Sequence, residues 1–127
     1  MKAIRTDTRT DSRFQIPNSR LAFELAERVF RHFQTSDVFE IAEKVGVKTV
    51  YQKWFPVTLG EFDWRTKTII VNENAEISFE KIVAHELGHY FLREFNIEDV
   101  GDEEGFCDEF ADAILKEFHA KTRRTPS

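Results

Sequence analysis

One segment decides how this chain is read: Ile82-Val83-Ala84-His85-Glu86-Leu87-Gly88-His89-Tyr90-Phe91-Leu92. Its apolar residues recur with the spacing of a helix, and it contains the pattern His-Glu-x-x-His. Residues four apart lie on one face of a helix, so His85 and His89 can bind one metal ion through their ring nitrogens. Glu86 projects near the same face, where it can take a proton from a metal-activated water molecule. The pattern therefore predicts a zinc-binding helix that carries a general base.

A catalytic zinc site usually needs three protein ligands and one open position. Leu92 and Phe95 stand where one class of zinc peptidases carries Gly and a third His, which excludes that class. Another class takes a Glu from a later helix, often as Glu-x-x-x-Asp. Glu104 fits as the third ligand, and Asp108 fits as the acceptor of the free N–H of a ligating His. A solvated acidic helix face is the alternative, and other acids of this segment compete as the ligand: Glu103, Asp108 and Glu109.

These residues resemble the ImmA/IrrE family of zinc metallopeptidases. The segment 85–92 is similar to the family's active-site helix, and 104–115 is similar to the helix that follows it, E-x-x-A-N-x-F-A-x-x-L-L. Four residues of that second helix match and three are replaced: the matches are Glu104, Phe110, Ala111 and Leu115, and the replacements are Cys107, Asp108 and Ile114. Segments 41–47 and 68–72 are similar to the family's second helix and to the strand before its active-site helix. The resemblance covers roughly residues 20–116, and Lys116-Glu117 stand where the family usually has Met-Pro.

The resemblance implies a zinc metalloendopeptidase of minimal zincin-like fold, with a specific regulatory protein, such as a transcriptional repressor, as its substrate. The residue patterns predict an α+β fold with two N-terminal helices, a small and mostly antiparallel sheet, the helix of the histidine pair and a C-terminal helix. The predicted bounds are 19–34 and 37–45, then strands at 47–55, 57–62 and 66–72, then helices at 79–95 and 103–119. Residues 18–119 are predicted to form one domain, between a flexible arm (1–17) and a flexible tail (120–127). The predicted helix caps are Thr35 or Ser36 for the second helix and Ser78 for the third.

Two further features of the cleft are predicted. The strand before the active-site helix is expected to lie at the sheet edge, where a substrate backbone adds to Ile69, Ile70, Val71 and Asn72. Tyr90 and Tyr51 are candidate oxyanion donors on chemical grounds alone.

Gly88 costs its helix about 1 kcal/mol relative to Ala, which predicts close approach by the last helix. Cys107 is interpreted as an inert core thiol, with a zinc ligand or a redox thiol as alternatives.

Composition limits the partners. The chain has 127 residues, a net charge of −5 and no apolar run long enough to span a membrane. The second helix is acidic at Asp37, Glu40 and Glu43, which argues against a DNA-reading helix and any nucleic-acid partner. Residues 94–117 carry ten acids against one Lys, a field that favours cations and a basic substrate segment, although a solvated face is equally compatible. A single Cys and an N-terminus without an apolar signal core predict a cytoplasmic protein.

The predicted cofactor is one Zn²⁺ ion, with Mn²⁺ or another divalent metal as the alternative. Two other functions stay open at this level. In one, zinc only joins two helices and the protein antagonises a regulator by docking; in the other, the site hydrolyses a small amide. Glu86 separates docking from catalysis, because a purely structural zinc site has no need of a base.

Overall fold

The computed structural model describes residues 18–54, 59–98 and 100–118, so the predicted arm (1–17) and tail (120–127) lie outside the described residues. The chain forms an α+β domain, which confirms the predicted fold class. Its helices and strands follow in this order: α1 (Asn18–Phe33), α2 (Val38–Lys44), β1 (Lys48–Gln52), β2 (Gly60–Asp63), β3 (Thr68–Asn72), α3 (Phe79–Glu94) and α4 (Glu103–Asp112). A π-helix, Ala113–Phe118, continues α4.

Side chains that accept hydrogen bonds from exposed backbone N–H groups fix the starts of the helices. Ser78 accepts from the N–H of Lys81 and caps α3, as predicted. Asp37 caps α2, so the prediction of Thr35 or Ser36 at that position is wrong. The Thr35 hydroxyl instead accepts from the backbone N–H of Asp37, and it thereby orients the capping residue.

The sheet is mixed, with strand order β1-β3-β2. β1 pairs with β3 in parallel and β2 pairs with β3 antiparallel, whereas the sequence favoured a mostly antiparallel sheet. β3 is therefore the central strand, and the prediction that it lies at the edge is wrong. Both sides of its backbone are paired, so Ile69, Ile70, Val71 and Asn72 cannot accept a substrate strand. The Asn72 carboxamide has a structural role instead, because it accepts from the backbone N–H groups of Trp54 and Asn74.

Helix α3 is the buried centre of the domain, packed against α4, α2 and the sheet. One face of α1 covers the same core, with buried residues at helical spacing: Ala22, Leu25, Ala26 and Val29. The apolar side of α4 contributes Phe106, Cys107, Phe110 and Ala111. This packing holds the first turn of α4 against the middle of α3. Within the described parts of the chain, no helix combines the length and apolar character needed to cross a membrane.

Candidate metal centre

His85 and His89 lie one turn apart on the exposed side of α3, and their ring centroids are 5.1 Å apart. Each side chain keeps only 15% of its surface accessible, because α4 crosses beside them. The helix thus brings both imidazoles to one place, as the spacing predicted.

The carboxylate of Glu104, in the first turn of α4, reaches both imidazoles. Its Oε1 lies 2.9 Å from Nε2 of His85, and its Oε2 lies 3.1 Å from Nε2 of His89. The same nitrogen of each ring, Nε2, therefore faces one carboxylate. Among the acids that competed for this position in the sequence, Glu104 is the one placed between the two rings.

Close packing of α3 against α4 makes this reach possible. A Cβ added at Gly88 would lie 3.0 Å from Sγ, 3.1 Å from Cβ and 3.2 Å from Cα of Cys107. These separations are shorter than the ordinary contact range of 3.4–4 Å, so a side chain at residue 88 would push α4 outward. The predicted close approach at Gly88 is confirmed.

Two further carboxylates hold the other ring nitrogens. Asp108 Oδ1 lies 2.7 Å from Nδ1 of His85, as predicted for Asp108. Glu103 Oε2 lies 2.6 Å from Nδ1 of His89, a contact that was not predicted from the sequence. Because a carboxylate only accepts hydrogen bonds, a proton on each Nδ1 would satisfy these contacts, just as a proton on each Nε2 would satisfy the contacts with Glu104. The signal in the sequence was indirect: two imidazoles need two such acceptors, and Glu103 stands next to Glu104.

Glu86 is 7% exposed and lies beside the histidine pair, where β2 crosses α3. A Cβ added at Gly60 would be 3.8 Å from Oε2 of Glu86. Burial raises the pKa of Glu86, and the nearby His85 and His89 oppose that shift. A buried carboxylate in this position, next to the histidine pair, can accept and return a proton.

A cleft of about 360 Å³ opens in front of His85, Glu86 and Glu104, whereas His89 lines a separate hollow beside Trp64 and Glu103. The polar side of the cleft is formed by His85, Glu86, Glu104 and Asp108, and its apolar side by Leu59, Ile77 and Ile82. Lys81 lies at its wall and forms an ion pair of 2.6 Å with Asp112. The site is thus open to a ligand that offers both a polar group and an apolar side chain.

Cys107 also lies close to the histidine pair. A ring nitrogen of His85, a ring nitrogen of His89 and the sulfur of Cys107 lie within 4.8 Å of one another. These three residues could therefore hold a metal ion. The thiol is fully buried, and burial together with the surrounding acids raises its pKa well above the ordinary value. Its sulfur atom packs at Gly88, on the line where the two helices meet.

Neither candidate oxyanion donor lines the cleft. Tyr90 is one residue beyond His89, about 100° around the helix, and it stacks on Phe62 in the interior. Tyr51 is exposed on β1 and contacts the ring of Phe79. Tyr90 thus lies on another face of α3 and Tyr51 on the sheet, so no contact among the described residues supports either as an oxyanion donor.

Comparison of the chain with protein-family models, with curated proteins and with solved structures yields no match. The resemblance to the ImmA/IrrE family therefore stays a prediction, and the geometry of the site carries the functional inference.

Proposed function

We propose that this chain is a metal-dependent peptidase, with one divalent ion, Zn²⁺ by preference and Mn²⁺ as the alternative, held by His85, His89 and Glu104. A single observation carries the proposal: Nε2 of both imidazoles faces the same carboxylate, at 2.9 and 3.1 Å. Two imidazoles and one carboxylate are a donor set typical of catalytic zinc, with a position left open for water or substrate.

The contacts of the two Nδ1 atoms are compatible with metal binding through Nε2. Asp108 and Glu103 each lie within hydrogen-bond distance of an Nδ1 atom, so each Nδ1–H has an acceptor. A metal ion held between Nε2 and Glu104 would use the Nε2 lone pair of a neutral imidazole, and the remaining ring proton would then be on Nδ1, within reach of its acceptor. Partners of this kind fix ring orientation and raise ligand basicity.

Glu104 is a better third ligand than Cys107. The Cys107 sulfur is enclosed by the helix contact at Gly88, whereas the Glu104 side chain is 74% exposed and lines the cleft. A thiolate ligand there would have to form among four nearby carboxylates, those of Glu103, Glu104, Glu86 and Asp108. We therefore interpret Cys107 as a packing residue.

Glu86 is proposed as the general base. Zinc, when bound, supplies a Lewis acid that polarises a carbonyl and makes water a stronger acid. Glu86 accepts the proton of the attacking water and then passes it to the leaving amine. Its place on the cleft wall next to His85 fits that role, whereas a site that only joins two helices would not need it.

Among the described residues β2 is an edge strand, and its unpaired edge replaces β3 as the proposed substrate strand. Leu59 lies opposite Asn72, and its carbonyl accepts a hydrogen bond from the backbone N–H of Asn72. This position of the β2–β3 ladder is therefore a hydrogen-bonded pair. Hydrogen-bonded and non-hydrogen-bonded pairs alternate along an antiparallel ladder, so the pairs that contain Gly60 and Phe62 are not hydrogen-bonded. The backbone N–H and C=O groups of these two residues therefore point away from β3. An extended peptide that pairs with Gly60 would pass in front of Glu86.

The proposed substrate is a specific regulatory protein, such as a transcriptional repressor. That identity comes from the family resemblance alone. The apolar side of the cleft is formed by Leu59, Ile77 and Ile82. It favours substrates with an apolar side chain next to the peptide bond that is cleaved.

The test is cleavage of proteins in a cell lysate by the purified, zinc-loaded chain, with new N-termini identified by mass spectrometry. Glu86→Gln should bind zinc and fold as wild type does but produce none of the new N-termini. Glu80→Gln, on the same helix and outside the cleft, is the matched control and should cut normally. If the wild-type chain binds zinc but generates no N-termini beyond those of Glu86→Gln, the peptidase proposal fails and the docking function gains support.

A further inference from the structure

A second cavity, of about 420 Å³, lies between α1, the end of α2 and the last turns of α3. It shares no lining residue with the metal cleft. Its size falls within the range of small-molecule sites, roughly 300–1,000 Å³. Its lining residues are Arg28, His32, Phe33, Lys44, Val45, Tyr90, Phe91, Glu94 and Phe95.

Aromatic rings form most of the floor. Phe91 packs its ring 6.2 Å from that of Phe33 and 5.5 Å from that of Phe95, measured between centroids. Tyr90 contacts Phe91 edge-on at 5.2 Å. Such a floor favours a flat or extended apolar body.

Cationic groups dominate the rim. The guanidinium of Arg28 lies 4.0 Å above the ring of Phe95, and among the described residues it has no acidic partner within 4.0 Å. Lys44 contributes a second positive charge, although Glu40 at 3.2 Å partly offsets it. A second ammonium, that of Lys67, does not line the cavity but lies 5.4 Å from the ring centre of Tyr90. Glu94 is the one acid among the residues that line the cavity.

We propose that this cavity binds a small organic acid, a carboxylate attached to an aromatic or aliphatic body. The body would lie on the phenylalanine floor while Arg28, whose planar guanidinium suits a carboxylate, binds the charged end. Segments 1–17 and 120–127 are poor occupants for a cationic rim, because basic residues outnumber acidic ones in both: Lys2, Arg5, Arg9 and Arg13 in the first and Lys121, Arg123 and Arg124 in the second. This inference is independent of the proposed peptidase activity.

The test uses the fluorescent anion anilinonaphthalene sulfonate as the probe, titrated into the full-length chain. Wild-type protein should bind it saturably, and Arg28→Gln should weaken binding about tenfold, the loss expected for one charge-assisted hydrogen bond. Arg31→Gln is the matched control, because Arg31 is on the same helix, pairs with Glu27 and does not line the cavity. Circular dichroism establishes that each variant is folded.

A competition experiment identifies the class of ligand. Phenylpropionate should displace the probe from the wild-type chain, whereas phenylpropanol, with the same body and no charge, should not. The proposal is overturned if the wild-type chain shows no saturable binding, if Arg28→Gln and Arg31→Gln bind the probe equally, or if the alcohol competes as well as the acid. Displacement only by an acidic peptide would also overturn it, since the cavity would then receive a protein segment.

Discussion

The packing at Gly88 makes a sharp prediction about metal affinity. Replacing Gly88 by Ala adds a Cβ that would lie 3.0–3.2 Å from three atoms of Cys107, including its backbone Cα. Because that Cα cannot rotate away, α4 must move outward by a few tenths of an ångström. Glu104 moves with it, one turn before Cys107, away from His85 and His89.

Two effects on the free energy of unfolding oppose each other. Ala stabilises a helix interior by about 1 kcal/mol relative to Gly, and overpacking a tight contact costs about 1–3 kcal/mol. The metal-free variant should therefore be less stable than wild type by roughly 0–2 kcal/mol. Metal sites hold their donor distances to within about 0.2 Å, so the shift of Glu104 should weaken zinc binding by about tenfold or more.

Urea unfolding in the presence of a chelator measures stability, and competitive titration with a zinc indicator measures affinity. Gly101→Ala is the control, because an added Cβ there meets nothing within 4 Å. In the double variant Gly88→Ala with Cys107→Gly, two of the three close contacts disappear and zinc affinity should largely return. The contrary result is that Gly88→Ala raises the free energy of unfolding by the full ~1 kcal/mol expected of Ala in a helix and binds zinc as tightly as wild type. The close approach of α4 would then not position Glu104.

The remaining predictions concern the edge strand, the outer carboxylate and the thiol. Gly60→Ala would place its Cβ 2.6 Å from Cγ2 of Ile82 and should destabilise the chain by about 1–3 kcal/mol in urea unfolding, because β2 must lift from α3. Glu103→Ala removes the acceptor 2.6 Å from Nδ1 of His89 and should lower zinc affinity about ten- to a hundredfold by titration; unchanged affinity would show that this contact does not support the ring. Cys107, which is buried and has a raised pKa, should resist iodoacetamide in the folded chain and react fully after unfolding. Cys107→Ser should keep its zinc affinity, and a large loss would instead make the thiol a ligand.

Much of the local structure could be predicted from neighbouring residues. The spacing of His85 and His89 sets them on one face of any helix that contains them, and Ser78 marks where that helix begins. Gly88, a poor helix former inside a helix, correctly indicated a close neighbour. These inferences succeed because they depend on the geometry of a single turn.

The order of the strands could not be predicted in this way. Side-chain patterns show that β3 is buried, but hydrogen bonds between strands far apart in sequence decide whether it is central or at an edge. Ile69 and Val71 are fully buried, as is typical of a central strand. Their residue types alone predicted a strand but not its position in the sheet. In the part of the chain that the structure describes, the edge strand near Glu86 is consequently β2.

The sequence by itself determined that this chain carries a histidine pair with an acid between, on a helix, and that acids follow it. Only the tertiary structure decided which acid contacts which ring nitrogen. Glu104 contacts Nε2 of both rings, Asp108 contacts Nδ1 of His85, and Glu103 contacts Nδ1 of His89. The physical reason is that the sequence does not distinguish between several carboxylates on one helix. The crossing of α4 over α3 sets which oxygen lies within 3.1 Å of which ring nitrogen.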